Sequence, residues 1–214
     1  MLYLSKIPKL VRQFYADYTW RVKRKDKVLF LTFDDGPVPG VTDWVLQQLH
    51  AYQAKASFFL LGRQVQAHPE LAHAIIDQGH CVGNHSHAHR DGWKTDNKLY
   101  LRDFLQGEQT IKEYTGYQTT YFRPPYARIS RSQAQHIMRS HEIVMMDVVS
   151  GDFDETISEE TCFQNVVATA KSGSIILFHD TKKAMPRMQA VLPRVLEHFD
   201  LQGYRFLGLD DRES

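Results

Sequence analysis

Seven apolar runs, each about one strand long and most followed by a stretch of helical periodicity, constrain this chain more than any other feature. They lie at 28–33, 57–61, 80–83, 120–123, 142–149, 174–178 and 204–209 and read as strands. Helical patterns fill the gaps. Thr42 is placed to N-cap a helix with Val45, Leu46 and Leu49 inward, and Pro69 suits the first turn of a helix ending near Gly79. Leu101, Phe104, Leu105 and Ile111 mark a longer helix, and Ser158 before Glu159 and Glu160 starts another. Such alternation predicts an α/β fold, a parallel sheet with helices outside. About seven strands in one domain suit a closed or nearly closed barrel, and an open doubly wound sheet satisfies the same alternation.

The bulk numbers exclude several classes. At 214 residues one domain with a sizeable core is expected, and 26 Lys plus Arg against 25 Asp plus Glu leave no basic field for nucleic acid. Cys81 and Cys162 are too far apart in sequence to suggest a cysteine metal site or a disulfide framework. No stretch approaches the roughly 18 uninterrupted apolar residues of a spanning helix. The beginning of the chain shows no signal-peptide apolar segment, so a soluble, cytoplasmic chain is expected. Residues 1–27 form a basic helical extension ahead of a catalytic domain at 28–214, with Lys6, Lys9, Arg12, Arg21, Lys23, Arg24, Lys25 and Lys27 against Asp17 and Asp26. Within it Leu4, Ile7, Val11 and Phe14 recur at helical spacing, interrupted by Pro8. A short helix packing this stripe on the domain is expected; peripheral contact with an anionic membrane surface is the other reading.

Loops at the carboxyl ends of parallel strands build active sites, and every polar cluster of this chain directly follows an apolar run. In "VLFLTFDDGP" the run ends in adjacent carboxylates, Asp34 and Asp35, whose ionised forms need a cation or donors at a buried strand end. After "HCVG" come His85, His87 and His89. His85 and His89 are four apart, which in a helical turn puts both imidazoles on one side; with Asp35 they make a facial two-histidine, one-carboxylate metal set. His87 falls on the other side and is left out. Asp34 is then available as general base toward a water acidified by the metal.

Three further clusters complete the picture. In "YFRPPYAR", Arg123 is placed to hold the base ionised, and Tyr126 offers the first backbone N–H after two prolines, a candidate oxyanion donor. "MMDVVSGDFDE" ends a strand in Asp147, Asp152 and Asp154, and "SIILFHD" places His179 at a strand end, where Asp180 reads as a helix cap. An amide hydrolase must protonate its departing amine, and a histidine oriented by a carboxylate such as Asp152 supplies that acid.

Taken in order, "TFDDGP", "HSHAH", "RPPY", "SGDF" and "LFHD" resemble the five motifs of the polysaccharide deacetylases, the NodB homology domain of carbohydrate esterases, over about residues 28–209. The resemblance implies a distorted (β/α) barrel of fewer than eight strands and a divalent metal, usually zinc, with cobalt or nickel as alternatives. Carried over by motif, it implies Asp34 as base, Asp35, His85 and His89 as metal ligands, and Arg123 as tether of the base. Tyr126 would be the backbone donor, Asp152 would orient the acid His179, and Leu177 would line an acetyl pocket; the role of Leu177 comes from the resemblance alone. Met146 and Phe153 stand where many members carry tryptophan, and Ala127 where glycine often follows the tyrosine. The function expected is metal-dependent removal of acetyl groups from an N-acetylglucosamine-type glycan. An O-acetyl ester, a small cyclic amide or a lipid-linked sugar are alternative substrates, and a catalytically silent sugar-binding module is the reading from another class. Oligomeric state is not legible.

Overall fold

A computed structural model describes residues 4–212. The chain opens with α1 (Lys9–Phe14), β1 (Val28–Asp34), α2 (Thr42–Ala51), β2 (Ala56–Leu60), α3 (Gly62–Ala67), α4 (Pro69–Asp77) and β3 (Cys81–Asn84). It continues through α5 (Asn97–Thr115), β4 (Tyr121–Phe122), α6 (Arg131–Ile137), β5 (Glu142–Ile143), β6 (Val148–Val149), α7 (Glu159–Val167), β7 (Ile175–His179), α8 (Met185–Asp200) and β8 (Arg205–Phe206). The strands run parallel in the order β5-β4-β3-β2-β1-β7-β6, and β8 pairs with the first residues of β1.

The two strands at the ends of that order, β5 and β6, come from one apolar run. A run that leaves one edge of a sheet and joins the other forces the sheet to curl, and the result is a distorted half-barrel wrapped by helices. The predicted single strand at 142–149 is therefore two. Between them the backbone finds partners other than a neighbouring strand: Met145 N–H donates to the Thr19 carbonyl at 2.7 Å, while Val144 and Met145 carbonyls accept from the Arg123 side chain.

Alternation along β1 decides what faces where. Leu29, Leu31 and Phe33 pack outward against the helices with Val45, Leu49, Leu192 and Leu196. Val28 and Phe30 point into the barrel with Phe59, Met146 and Leu177. The two-residue period carries that inward face on to Thr32 and Asp34. In β7 the same period turns Ile176 and Phe178 outward, and Ile175, Leu177 and then His179 inward.

Residues 4–27 lie along the seam where β5 and β6 fail to meet. Lys6 bridges antiparallel to Val148, Thr19 bridges parallel to Val144, and Arg21 bridges antiparallel to Ser174. Lys6 Nζ also reaches Asp147 at 2.9 Å. The expectation that the apolar stripe would pack on the domain is corrected: only Ile7 does so, whereas Leu4, Val11 and Phe14 stay exposed, Phe14 by 82%. The six residues of α1 are too few for four stripe positions to face one side once Pro8 precedes the helix.

A smaller correction concerns a cap. Thr42 is the first residue of α2 rather than its cap; its hydroxyl accepts the Val38 N–H at 2.8 Å and donates to Asp180 at 2.6 Å. Cys81 and Cys162 are both buried thiols, unpaired with each other. No helix of the described residues is long and apolar enough to cross a membrane.

Asp147 is fully buried and accepts from Lys6, the Ser174 hydroxyl and the Ile175 N–H. Removing it strands buried donors, so Asp147→Ala is expected to cost about 2–3 kcal/mol of stability. Urea unfolding measures this, and an unchanged midpoint would contradict the stitching role of the N-terminal segment.

Candidate active site

The inward face of β1 ends in Asp34, and the register of the parallel ladder sets Asp34 directly beside His179 of β7. One residue on, the strand breaks. Asp35 takes φ +83°, and the next residue, Gly36, is packed so closely that an added Cβ would lie 2.0 Å from the Asp180 carboxylate. Asp180 accepts the Gly36 N–H at 3.0 Å and fixes this turn from below. Burial pushes its carboxyl up to about 8, and the Asp35 charge beside it adds to the rise. Asp180 is thus an anchor of the carboxylate turn, not the helix cap expected from the sequence.

Asp35, His85 and His89 converge, each offering a ligand atom within 4.8 Å of the other two. His89 Nε2 and His85 Nε2 lie 3.1 Å and 3.5 Å from Asp35 Oδ1. That oxygen is buried and no hydrogen bond is aligned on it, so three donor atoms aim at a shared point rather than at one another. An orphaned buried oxygen between two imidazoles fits a divalent metal. The histidine pair is not assembled by a helical turn, as the spacing suggested. Residues 85–92 form a loop in which Ser86 and His89 adopt positive φ, +70° and +59°. Asn84 accepts the Ser86 N–H, Ser86 Oγ accepts the His89 N–H, and buried Asp103 accepts the Ala88 N–H, so local side chains hold this strained path. His87 turns away toward Thr110.

Protonation suits ligation. His85 donates its Nδ1–H to the Arg123 carbonyl at 2.7 Å, which leaves Nε2 as the lone pair facing Asp35. Burial lowers its imidazole to about 4, the Asp34 charge opposing, so it is neutral at pH 7. Burial works against the charge on Asp35, but the His89 imidazole, with His85 and His179 behind it, outweighs this and holds the carboxyl well below its ordinary range.

Asp34 is held apart from this set. Its Oδ1 accepts from Arg123 Nη1 at 2.7 Å, and the guanidinium is fully buried with every nitrogen satisfied. Nη1 also reaches the Thr32 hydroxyl at 2.8 Å, Nε the Val144 carbonyl at 3.2 Å and Nη2 the Met145 carbonyl at 2.9 Å. The Phe59 ring stacks 4.1 Å from the guanidinium carbon. On the other side, His179 Nδ1 donates to Asp152 Oδ1 at 2.9 Å while Asp152 Oδ2 accepts the His179 N–H at 2.6 Å. Burial opposes a charge on this imidazole, yet Asp152 overrides it and raises His179 to about 9.

The remaining expected residues also line this region. Tyr126 sits at φ +58° in the short 3₁₀ turn Pro125–Ala127, its ring edge-on to His89 at 4.4 Å between centroids. Among the described residues its N–H has no hydrogen-bond acceptor. Leu177 lies two residues before His179 on the same inward face of β7.

The sequence profile described as polysaccharide deacetylase matches residues 21–145. A peptidoglycan-N-acetylglucosamine deacetylase of Bacillus cereus is 31% identical over 195 residues, 90% of this chain and 91% of that protein. The chain belongs to the polysaccharide deacetylase family. Peptidoglycan-N-acetylmuramic acid deacetylase PdaC of Bacillus subtilis is 31% identical over 196 residues, which is 90% of this deacetylase but 40% of the longer PdaC. The crystal structure of the Bc1960 peptidoglycan N-acetylglucosamine deacetylase bound to 4-naphthalen-1-yl-N-oxidanyl-benzamide superposes with a TM-score of 0.88 at 26% identity, covering 96% of this chain and 97% of that one.

Within this deacetylase, sequence reasoning missed the anchors Asp180, Asp103 and Asn84. Asn84 precedes one motif, Asp180 ends another and Asp103 lies in α5, and only their burial and bonding reveal the role. The departures from the usual motifs are placed differently. Met146 is buried inside the barrel, Phe153 packs edge-on to His179 at 5.1 Å, and Ala127 takes φ +54°, a conformation that favours glycine. Asp147 and Asp154 do not join the site: the first is stitched to Lys6 and the second is bonded to Thr156.

Two outcomes follow from this geometry. Arg123→Met leaves Asp34 buried without its cation and is expected to cost about 3–5 kcal/mol in chemical denaturation. His179 is raised above its ordinary 6.5, so its contribution to stability is full below pH 6.5 and is lost as pH rises through about 9. In metal-free protein, Asp152→Asn should abolish this alkaline fall in the thermal midpoint; a fall of equal size in the variant would refute the pairing.

Proposed function

We propose that this chain is a metal-dependent hydrolase that removes acetyl groups from an N-acetylglucosamine-type glycan, releasing acetate. The observation that carries the reading is the side-by-side register of Asp34 and His179 at the mouth of the metal-ligand set. One rung of the sheet thus presents a carboxylate secured by a buried guanidinium and an imidazole secured by a buried carboxylate, the two proton-transfer partners that amide hydrolysis requires.

Asp35, His85 and His89 would hold the metal, and two imidazoles with one carboxylate suit zinc, cobalt or nickel. When bound, the metal supplies a Lewis acid that acidifies water and polarises the acetyl oxygen. Asp34, fixed by Arg123, accepts the proton of the attacking water. The Tyr126 N–H donates to the oxygen that gains charge as the carbonyl carbon becomes tetrahedral. His179, protonated at neutral pH and aimed by Asp152, gives its proton to the sugar nitrogen as the C–N bond breaks. Leu177, on the inward face beside His179, supplies an apolar surface for the acetyl methyl.

Asp34→Asn should retain the metal, measured by elemental analysis, and lose at least about 100-fold in acetate release, while His85→Ala loses both. Acetate release at the wild-type rate by Asp34→Asn would end this mechanism. Saturable glycan binding with no acetate from a panel of acetylated sugars, even after reloading with zinc, cobalt or nickel, would establish a silent binding module instead.

A peripheral membrane contact is supported by a separate observation. On and beside α1, Leu10, Phe14 and Tyr15 are 67%, 82% and 50% exposed, next to Lys9 and Arg12. Apolar side chains interleaved with cations suit an anionic lipid surface. Co-sedimentation with phosphatidylglycerol vesicles, absent with phosphatidylcholine and abolished in Leu10→Ser/Phe14→Ser, is the expected result; equal sedimentation of the variant would refute it.

A further inference from the structure

A cavity of about 610 Å³ opens beside the metal-ligand set and shares Asp35 and His89 with it. Cations line it from two sides. Arg63 comes from the start of α3, His68 from the junction of α3 and α4, and Lys182 and Lys183 from the loop that leaves β7 after His179. These segments are distant in sequence and meet here because β2 and β7 both pair with β1, which sends their exit loops to the two sides of the same cleft.

The acids near these cations are already engaged. Among the described residues, Asp35 is the only carboxylate that lines the cavity, and it faces the two imidazoles. Asp180 is committed to Gly36 and Thr42, Asp43 to the Gly40 N–H, and Glu70 lies 3.8 Å from His68. Among the described residues, Arg63, Lys182 and Lys183 make no ion pair. The chain as a whole carries a formal charge of only +1, so the positive wall is a local feature rather than a share of a basic surface.

We propose that Arg63, Lys182 and Lys183 form an anion subsite that selects glycans bearing a carboxylate or phosphate on the unit next to the acetylated sugar. The inference rests on the deacetylase reading of the adjacent centre and adds a substrate class to it. A neutral glycan would leave three cations unmatched in a concave wall. An acidic one brings a countercharge into the cleft that the guanidinium and two ammonium groups line, which favours binding and orients the chain across it. Because the cations are exposed, the attraction is screened by salt.

The test compares zinc-loaded full-length protein with Lys182→Ala/Lys183→Ala and with Arg63→Ala on three substrates. These are a neutral N-acetylglucosamine oligomer, a muramic-acid-containing oligosaccharide with free lactyl carboxylates, and an N-acetylglucosaminyl phosphate. Wild type is expected to favour at least one anionic substrate about tenfold in kcat/KM, an advantage that 0.5 M salt removes. The variants should raise KM for that substrate about tenfold, leave its kcat unchanged, and turn over the neutral oligomer within twofold of wild type. Preference for the carboxylate or for the phosphate identifies the source of the anion. Equal use of all three substrates by wild type, or equal loss on neutral and anionic substrates in the variants, would overturn the subsite. If no substrate yields acetate, the activity reading fails on its own. Equilibrium binding of the carboxylate oligosaccharide then decides the subsite: weaker binding by Lys182→Ala/Lys183→Ala supports it, and equal binding removes it.

Discussion

The buried guanidinium of Arg123 is the interaction on which the rest of the structure depends. A cation fully out of water is tolerated only when its donors and its charge are all matched. Here the match is drawn from two distant parts of the chain: Thr32 and Asp34 of β1, and the Val144 and Met145 carbonyls in the link between β5 and β6. The same residue therefore closes the region where the sheet lacks strand pairing and fixes the proposed base. Its own carbonyl accepts the His85 Nδ1–H, which sets the tautomer of a candidate metal ligand. Barrel closure, base orientation and ligand protonation state are thus coupled through one side chain.

Around that fixed point the site is built on strained backbone. Asp35, Ser86, His89, Tyr126 and Ala127 all occupy positive φ without being glycine. Such conformations persist only where neighbours over-determine them. For Asp35 and the loop after β3 the neighbours are the buried polar side chains Asp180, Asp103 and Asn84, which accept loop N–H groups. Loops at the strand ends are consequently held in place before any ligand binds, which is what proton transfer over short distances requires.

The proposed chemistry and the cleft walls are built from different parts of the fold. The proposed proton-transfer pair sits on one rung of the sheet, where register leaves little freedom, and the candidate metal ligands sit on the turn after β1 and the loop after β3. The walls lie outside that rung: Phe153 against His179, left-handed Ala127 beside Tyr126, and the cations on the α3 and β7 loops.

Much of this was determined by the sequence alone. Apolar runs alternating with helical periodicity specify a parallel α/β sheet, because burial of both sheet faces requires it. The placement of acids and histidines directly after those runs specifies one active face. That Asp34, Asp35, His85, His89, Arg123, Asp152 and His179 come together in one cleft was legible because each lies in a short motif at a strand end. Tertiary structure decided what depends on contacts between distant segments: the splitting of 142–149 into two strands, the use of residues 4–27 to fill the seam, and the roles of Asp180 and Asp103 as loop anchors. It also decided how His85 and His89 meet, since a positive-φ loop and a helical turn share the same spacing. A one-dimensional pattern reports which face a residue prefers, but which partner satisfies a buried polar group is settled only when the sheet has curled and brought that partner within reach.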